Sequence, residues 1–427
     1  MKKLIIFSLV LALAAGVVFA QASVGGNLEI AYKFLGGDNI DKSQIMSGDM
    51  AIYNAHANVN FGGADGGGMV RLWSAVNEWK PNFFTFIWWK PTEWLRLQFG
   101  QNADGDWGHA QISGWGFNAE AQNQGAIDQY RGIGNGAVVA RTAGNAWYGG
   151  FSGLGATVSL TPIEGLAINV AIPVVTIAGN DDTGAIWYNN KPNPSSANHG
   201  ETTAGSLFSK MHINVAYTIQ DIGTIRLTTE LGPGYNKGDA DEWYGTAGTN
   251  DPARIWASFY LMAIDDMGLD VGAGFRLPAG EDADINFPVG IGLGFRYASG
   301  DFGIKARIGM ELGAENKIGG TTVKSDTSFG INILPSYNIN ANVVGYLGVG
   351  LGIVSMDKEV PGVDGNYDSL VDFYVNPYFL VRGANGVRFY AGFTLVVDDV
   401  NRNQGGKKDG KDGLVTWSLP LGMRAYF

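Results

Sequence analysis

Long stretches of this chain alternate apolar and polar residues with a period of two, and no other feature restricts its fold as strongly. Between Phe302 and Leu312, the residues Phe302, Ile304, Ala306, Ile308, Met310 and Leu312 share one parity. Gly303, Lys305, Arg307, Gly309 and Glu311 share the other. Segments 287–297, 207–219 and 225–231 repeat the pattern. Successive side chains of a strand point to opposite faces, so each stretch reads as a strand with one apolar and one polar face. The stretches run for about 10–14 residues, twice the mean strand of a soluble domain and the length of a tilted strand crossing a bilayer.

Two kinds of connector alternate between them. Short ones are rich in Gly, Asn, Asp and Pro: 161–165, 221–223, 265–268, 298–301, 340–342 and 383–386. Long ones are polar and acidic: 177–206, 233–252, 314–326, 355–369 and 400–412. Asp221 and Asp265–Asp266 lie in similar turns one hairpin apart, which reads as one turn chemistry used twice. Short turns on one side and long loops on the other are the pattern of an antiparallel up-and-down transmembrane β-barrel. Counting segments gives about 18 strands, within a range of roughly 16–20, and an even number returns the chain to the side on which it started. Residues 83–90 alternate poorly, and 102–150 form the longest unassigned loop.

Composition agrees. Only 16% of the 427 residues are charged, fewer than a soluble surface needs, yet mean hydropathy is +0.00. A net charge of −11 excludes a nucleic-acid partner, because phosphate binding needs a basic footprint. The absence of Cys excludes disulfides and thiolate chemistry. Lys2 and Lys3, an apolar run from Leu4 to Val18, and Val18-Phe19-Ala20 form a secretory signal peptide cleaved after Ala20. The domain expectation is therefore a signal peptide, 1–20, followed by one barrel domain, 21–427.

The charges select the lumen. Glu29, Lys33, Arg71, Arg96, Lys210, Arg226, Glu230, Asp270, Arg276, Arg296, Lys305, Arg307, Glu311, Asp372, Arg388 and Arg424 all fall on the polar parity of their strands. An Arg or Lys facing lipid at mid-strand costs roughly 2–4 kcal/mol, so this parity is expected to line the pore. Most of these charges are basic, whereas the long loops are acidic, which points to an anion-preferring channel with an acidic outer mouth. Ordinary solvation of paired lumen charges is the plainer reading. Glycines recur on the same parity at 290, 292, 294, 348, 350 and 352. They either relieve curvature and leave lumen volume, or accept a loop or plug packed against them. Trp88, Trp89, Trp94, Tyr297, Phe302, Tyr337 and Phe427 lie near strand ends and read as interfacial girdles.

The chain ends Trp417-Ser418-Leu419-Pro420-Leu421-Gly422-Met423-Arg424-Ala425-Tyr426-Phe427. Leu421, Met423 and Phe427 share the apolar parity. This end resembles the C-terminal assembly signal of bacterial outer-membrane barrels, apart from Ala425 where that class usually has an aromatic residue. The mature chain resembles the porin class, and within it the divergent barrels of spirochaetes. That resemblance implies outer-membrane lipid, the barrel-assembly machinery and small hydrophilic solutes as partners, a homotrimer as assembly, and no cofactor.

Porins of this kind fold one long loop inward. Asp104, Asp106, Trp107, Trp115, Arg131, Arg141 and Trp147 in 102–150 are the corresponding constriction candidates, an external loop or extra hairpin being the alternative. Asn102, Asp104 and Asp106 begin like a calcium loop, but Trp107 stands where the required Gly would be, so no metal is expected. Enzymatic barrels need a His beside Ser, Asn or Asp. His56, His109, His199 and His212 show no such spacing. A transporter of hydrophobic compounds and a surface-exposed structural or adhesin barrel remain the alternatives. Against a lipid transporter, the first strand starts within a few residues of Gln21, leaving little room for an N-terminal plug.

Overall fold

The computed structural model describes residues 22–38, 49–75, 82–102, 153–173, 187–188, 191–192, 211–230, 253–277, 289–312, 315–318, 321–324, 327–355, 370–398 and 414–426. Its staves are β1 (Ala22–Asp38), β2 (Asp49–Gly62), β3 (Gly66–Ala75), β4 (Asn82–Thr92), β5 (Leu95–Asn102) and β6 (Gly153–Leu160). There follow β7 (Leu166–Pro173), β8 (His212–Ile219), β9 (Gly223–Glu230), β10 (Ala253–Leu261), β11 (Met267–Leu277) and β12 (Val289–Ser299). The last six are β13 (Phe302–Leu312), β14 (Thr327–Asn340), β15 (Val343–Ser355), β16 (Leu370–Arg382), β17 (Arg388–Gly392 with Thr394–Asp398) and β18 (Leu414–Tyr426).

Each stave pairs antiparallel with the next in the chain, and β18 pairs back onto β1 from Asn27↔Tyr426 to Asp38↔Thr416. The sheet is therefore a closed barrel without a free edge. It contains 19 strand segments, two of which are halves of β17. The register runs through the gap unchanged, since Tyr378 pairs with Gly392 and Val375 with Leu395. The gap falls where prolines flank β17: Pro377 on β16, whose carbonyl accepts from Phe393 N–H at 2.9 Å, and Pro420 on β18. Proline has no N–H to donate to the ladder. Pro420 also faces Lys33 across the seam, and the β1 register shifts between Lys33 and Leu35, a bulge that absorbs the missing donor. Eighteen staves result, the number expected from the alternation.

Connections alternate strictly. Short turns occupy 63–65, 93–94, 161–165, 220–222, 262–266, 300–301, 341–342 and 383–387, and the remaining connections fall on the other side. Asp221 (φ 60°) and Asp266 (φ 62°) occupy the left-handed region at equivalent places in their turns, so one turn chemistry is used twice. Two small hairpins, 187–188 with 191–192 and 315–318 with 321–324, lie within longer connections and were not anticipated.

Two boundaries differ from expectation. The segment expected at 207–219 is described as strand only from His212, and Lys210 lies outside the described residues. Residues 83–90 form a regular stave despite their poor alternation, because both parities of β4 are apolar or aromatic.

Candidate functional site

Burial in this barrel is inverted relative to a soluble protein. Among the described residues, the buried polar side chains include Gln98, Asn214, Thr228, Asp270, Asn332, Asn376 and Arg424. The exposed ones include Ile87, Phe99, Ile225, Leu227, Val271, Leu347, Phe379 and Leu421. In a closed sheet the buried parity is the inner one. An outer face of isoleucine, leucine, valine and phenylalanine is stable only against an apolar medium, and a soluble sandwich is ruled out with it. Trp89, Trp94, Tyr297, Phe302 and Tyr337 are exposed beside the short turns, as a girdle at that interface requires.

Cross-strand partners share a face, so the register assigns each candidate charge to a side. Arg71, Arg96, Arg226, Asp270, Arg296, Lys305, Arg388 and Arg424 all stand on the inner rows. Lys33, Glu230, Arg276, Arg307, Glu311 and Asp372 occupy inner register positions as well. His56 and His212 stand on β2 and β8, separated by five intervening staves. The constriction candidates Asp104, Asp106, Trp107, Trp115, Arg131, Arg141 and Trp147 lie outside the described residues, as do Phe427 and the signal segment. Of the assembly-signal residues, Leu421 is exposed and Met423 half-buried on the outer face of β18.

The inner wall is a lattice of side-chain hydrogen bonds between neighbouring staves. Arg71 Nε donates to Asn58 Oδ1 at 2.7 Å, and Asn214 Nδ2 to Thr228 Oγ1 at 2.8 Å. Asn376 Nδ2 donates to Thr394 Oγ1 at 2.8 Å, and Tyr374 Oη to Asn332 Oδ1 at 3.1 Å. Within β5, Arg96 Nη2 donates to Gln98 Oε1 at 2.9 Å, and its guanidinium reaches across to β4, 4.8 Å from the Trp88 ring centroid. Trp88 therefore leaves the girdle: its parity is the inner one, and its ring serves as a cation-π partner.

Sequence reasoning missed three features of this wall. The first is aromatic. Trp256, Tyr260, Tyr374, Tyr378 and Tyr390 are buried on inner rows, and Tyr346 stacks on Tyr378 with ring centroids 4.6 Å apart. With Leu334, Val344, Leu380 and Val396, the tyrosines put apolar clusters into the β14–β17 sector of the wall, between the buried polar side chains of Asn332, Asn376 and Thr394. Residues 372–380 carry large residues on both parities, which hides an inner aromatic row from a search for polar faces.

The second concerns glycine. Gly272, Gly292, Gly309, Gly330 and Gly352 are successive register partners across β11–β15. Aromatic rings from adjoining staves lie over neighbouring glycines: Trp256 over Gly272 and Gly274, and Tyr374 over Gly350. A Cβ on Gly272 would come within 2.5 Å of the Trp256 ring. Gly272, Gly274 and Gly350 thus make room for cross-strand rings, a role neither expected reading had assigned.

The third concerns charge at the short-turn end. Arg382 joins the inner basic rows there, opposite Arg388, whereas Arg254, opposite Arg276, joins them at the long-loop end. Outside them, six consecutive short turns carry the exposed carboxylates Asp65, Glu93, Glu164, Asp221, Asp265, Asp266 and Asp301. The last two turns, 341–342 and 383–387, carry none. A recess of about 590 Å³ opens at this end between β10 and β15. Arg296 and Lys305, directly opposite one another, line it together with Tyr260, Tyr346, Asp265 and Asp266. The Arg296 guanidinium lies 5.8 Å from the Tyr260 ring centroid.

No family model matches the chain, and no curated protein matches it in sequence. Solved structures do. OccK10 (OpdN) of Pseudomonas aeruginosa superposes with a TM-score of 0.53 at 9% identity, covering 95% of this chain and 99% of that one. OccK3 (OpdO) of the same organism gives 0.52 at 10% identity, covering 96% of each. The outer membrane protein opdK from that organism gives 0.50 at 9% identity, covering 96% of this chain and all of that one. At these identities the likeness establishes the fold, the β-barrel of outer-membrane proteins, over nearly the whole chain.

Proposed function

We propose that the chain is an outer-membrane porin that lets small hydrophilic solutes diffuse through an aqueous lumen, with a preference for anions. The observation that carries this reading is a closed sheet whose outer face is apolar and exposed while its inner face is polar and basic. Such a wall suits water and solute inside and hydrocarbon outside. Basic residues outnumber acidic ones on the inner rows, and rings of Arg and Lys favour anions. The reading includes export by the 1–20 segment with cleavage after Ala20, and insertion by the barrel-assembly machinery through the end containing Leu421, Met423 and Phe427. It also includes a homotrimer, a spirochaete-type lineage, and a constriction supplied by 102–150. No enzymatic activity, cofactor or metal is proposed.

Transport of hydrophobic compounds is the second reading, favoured by the apolar clusters on the inner rows of β14–β17. Swelling of liposomes that contain the refolded protein distinguishes the two. Influx of sugars that falls with solute size supports a porin. Absence of swelling, with transfer of a hydrophobic probe instead, supports the second reading.

A further inference from the structure

Three arginines stand side by side at the short-turn mouth. Arg382 is directly opposite Arg388, and Arg388 is directly opposite Arg424, on β16, β17 and β18. Like charges directly opposite one another destabilise a sheet. Adjacent strands lie about 4.8 Å apart, so the three positions span about 10 Å, the scale of one small ligand held by several guanidiniums. The next position in the row is Glu29 on β1, a single carboxylate against three cations among the row's described residues.

The surroundings concentrate this charge. Arg424 is only 7% exposed, its Nη1 donating to the Tyr426 hydroxyl at 3.2 Å. The Arg388 and Arg424 guanidiniums lie 5.2 and 5.9 Å from the Tyr426 ring centroid. The ring thus stands beside two of the three heads, as a cation-π neighbour that leaves their charge in place. Arg382 is exposed and closes β16 at the turn, with Nη1 3.4 Å from the Ala341 carbonyl. The other opposed pair at this end, Arg296 and Lys305, shares its recess with the carboxylates of Asp265 and Asp266. The two turns beside the arginine row are the ones without a carboxylate.

We infer that Arg382, Arg388 and Arg424 form a binding site for a compact oxyanion of phosphate type, entered from the short-turn side of the barrel. Guanidiniums present paired N–H donors that match such oxygens, and a dianion would offset two opposed like-charge contacts at once. The site is separate from the proposed anion preference: selectivity draws on the whole lumen, whereas this row binds one ligand at its rim.

The test uses the full-length refolded protein and inorganic phosphate. Arg424 is left in place because it is buried. Calorimetry in detergent should show phosphate binding that weakens at least tenfold in Arg382→Gln/Arg388→Gln and weakens less in Arg382→Lys/Arg388→Lys, which keeps the charge but loses the paired N–H donors. In planar bilayers of fixed orientation, phosphate should reduce the chloride current at lower concentration from the short-turn side than from the other. The single variant Arg382→Gln, at the exposed end of the row, gives the same reading should the double variant fail to fold. Phosphate affinity unchanged by the Gln variants, or no phosphate binding by the wild type, would overturn the site. A protein that binds phosphate through these arginines but passes no current would overturn the channel reading and leave the site intact.

Discussion

Trp256 on β10 lies over Gly274, its direct register partner on β11. A Cβ at Gly274 would come within 2.6 Å of the indole. The ring is 1% exposed, so it has little room to retreat. Gly274→Val should therefore destabilise the barrel by about 1–3 kcal/mol, the range for overpacking. The shift should appear as a lower urea midpoint of the heat-modifiable folded form. Adding Trp256→Ala should recover part of the loss, and a Gly274→Val protein as stable as wild type would refute the packing.

A second ring–glycine contact carries a polar test. Tyr374 covers Gly350 and donates to Asn332 Oδ1, and Asn332 is fully buried. Tyr374→Phe keeps the ring but leaves that oxygen without its donor. The expected cost is about 1–3 kcal/mol. Asn332→Leu in the same background should reduce it.

The outer face makes the opposite prediction from a soluble surface. Val271 is 45% exposed near the middle of β11. In water Val271→Arg would change stability by about 0.5 kcal/mol or less. Against hydrocarbon it should cost about 2–4 kcal/mol, measured as the folding equilibrium into vesicles.

The short turns provide a backbone test. Asp266 has φ 62°, a conformation that costs a side-chain-bearing residue roughly 1–2 kcal/mol unless its own side chain compensates. Asp266→Gly should leave stability unchanged or raise it slightly, whereas Asp266→Val should lower it by about 1–2 kcal/mol. Thermal unfolding of the two variants side by side measures the difference.

Period-two alternation made the eighteen staves and the turn order legible, because a strand's two faces here meet media of opposite polarity. Lys305, Arg307 and Glu311 were readable as one face for the same reason, since several charges on one strand must agree in parity. The row formed by Arg382, Arg388 and Arg424 was not readable. It depends on register between strands, which alternation within one strand leaves undetermined. Trp88 was misplaced because an aromatic residue near a strand end suits either an interfacial girdle or an inner cation partner. Only the position of Arg96 across the β4–β5 pairing distinguishes them. Gly350 was assigned to empty volume or to a plug, while its occupant, Tyr374, sits on a neighbouring strand.

The most direct test of the central proposal is the reversal potential of single channels in a potassium chloride gradient across a planar bilayer. The account predicts stable open channels whose reversal potential has the sign of chloride preference, moving toward zero in Arg296→Gln/Lys305→Gln. A cation-selective sign would contradict the basic lumen, and a correctly folded protein that conducts no current would contradict the channel.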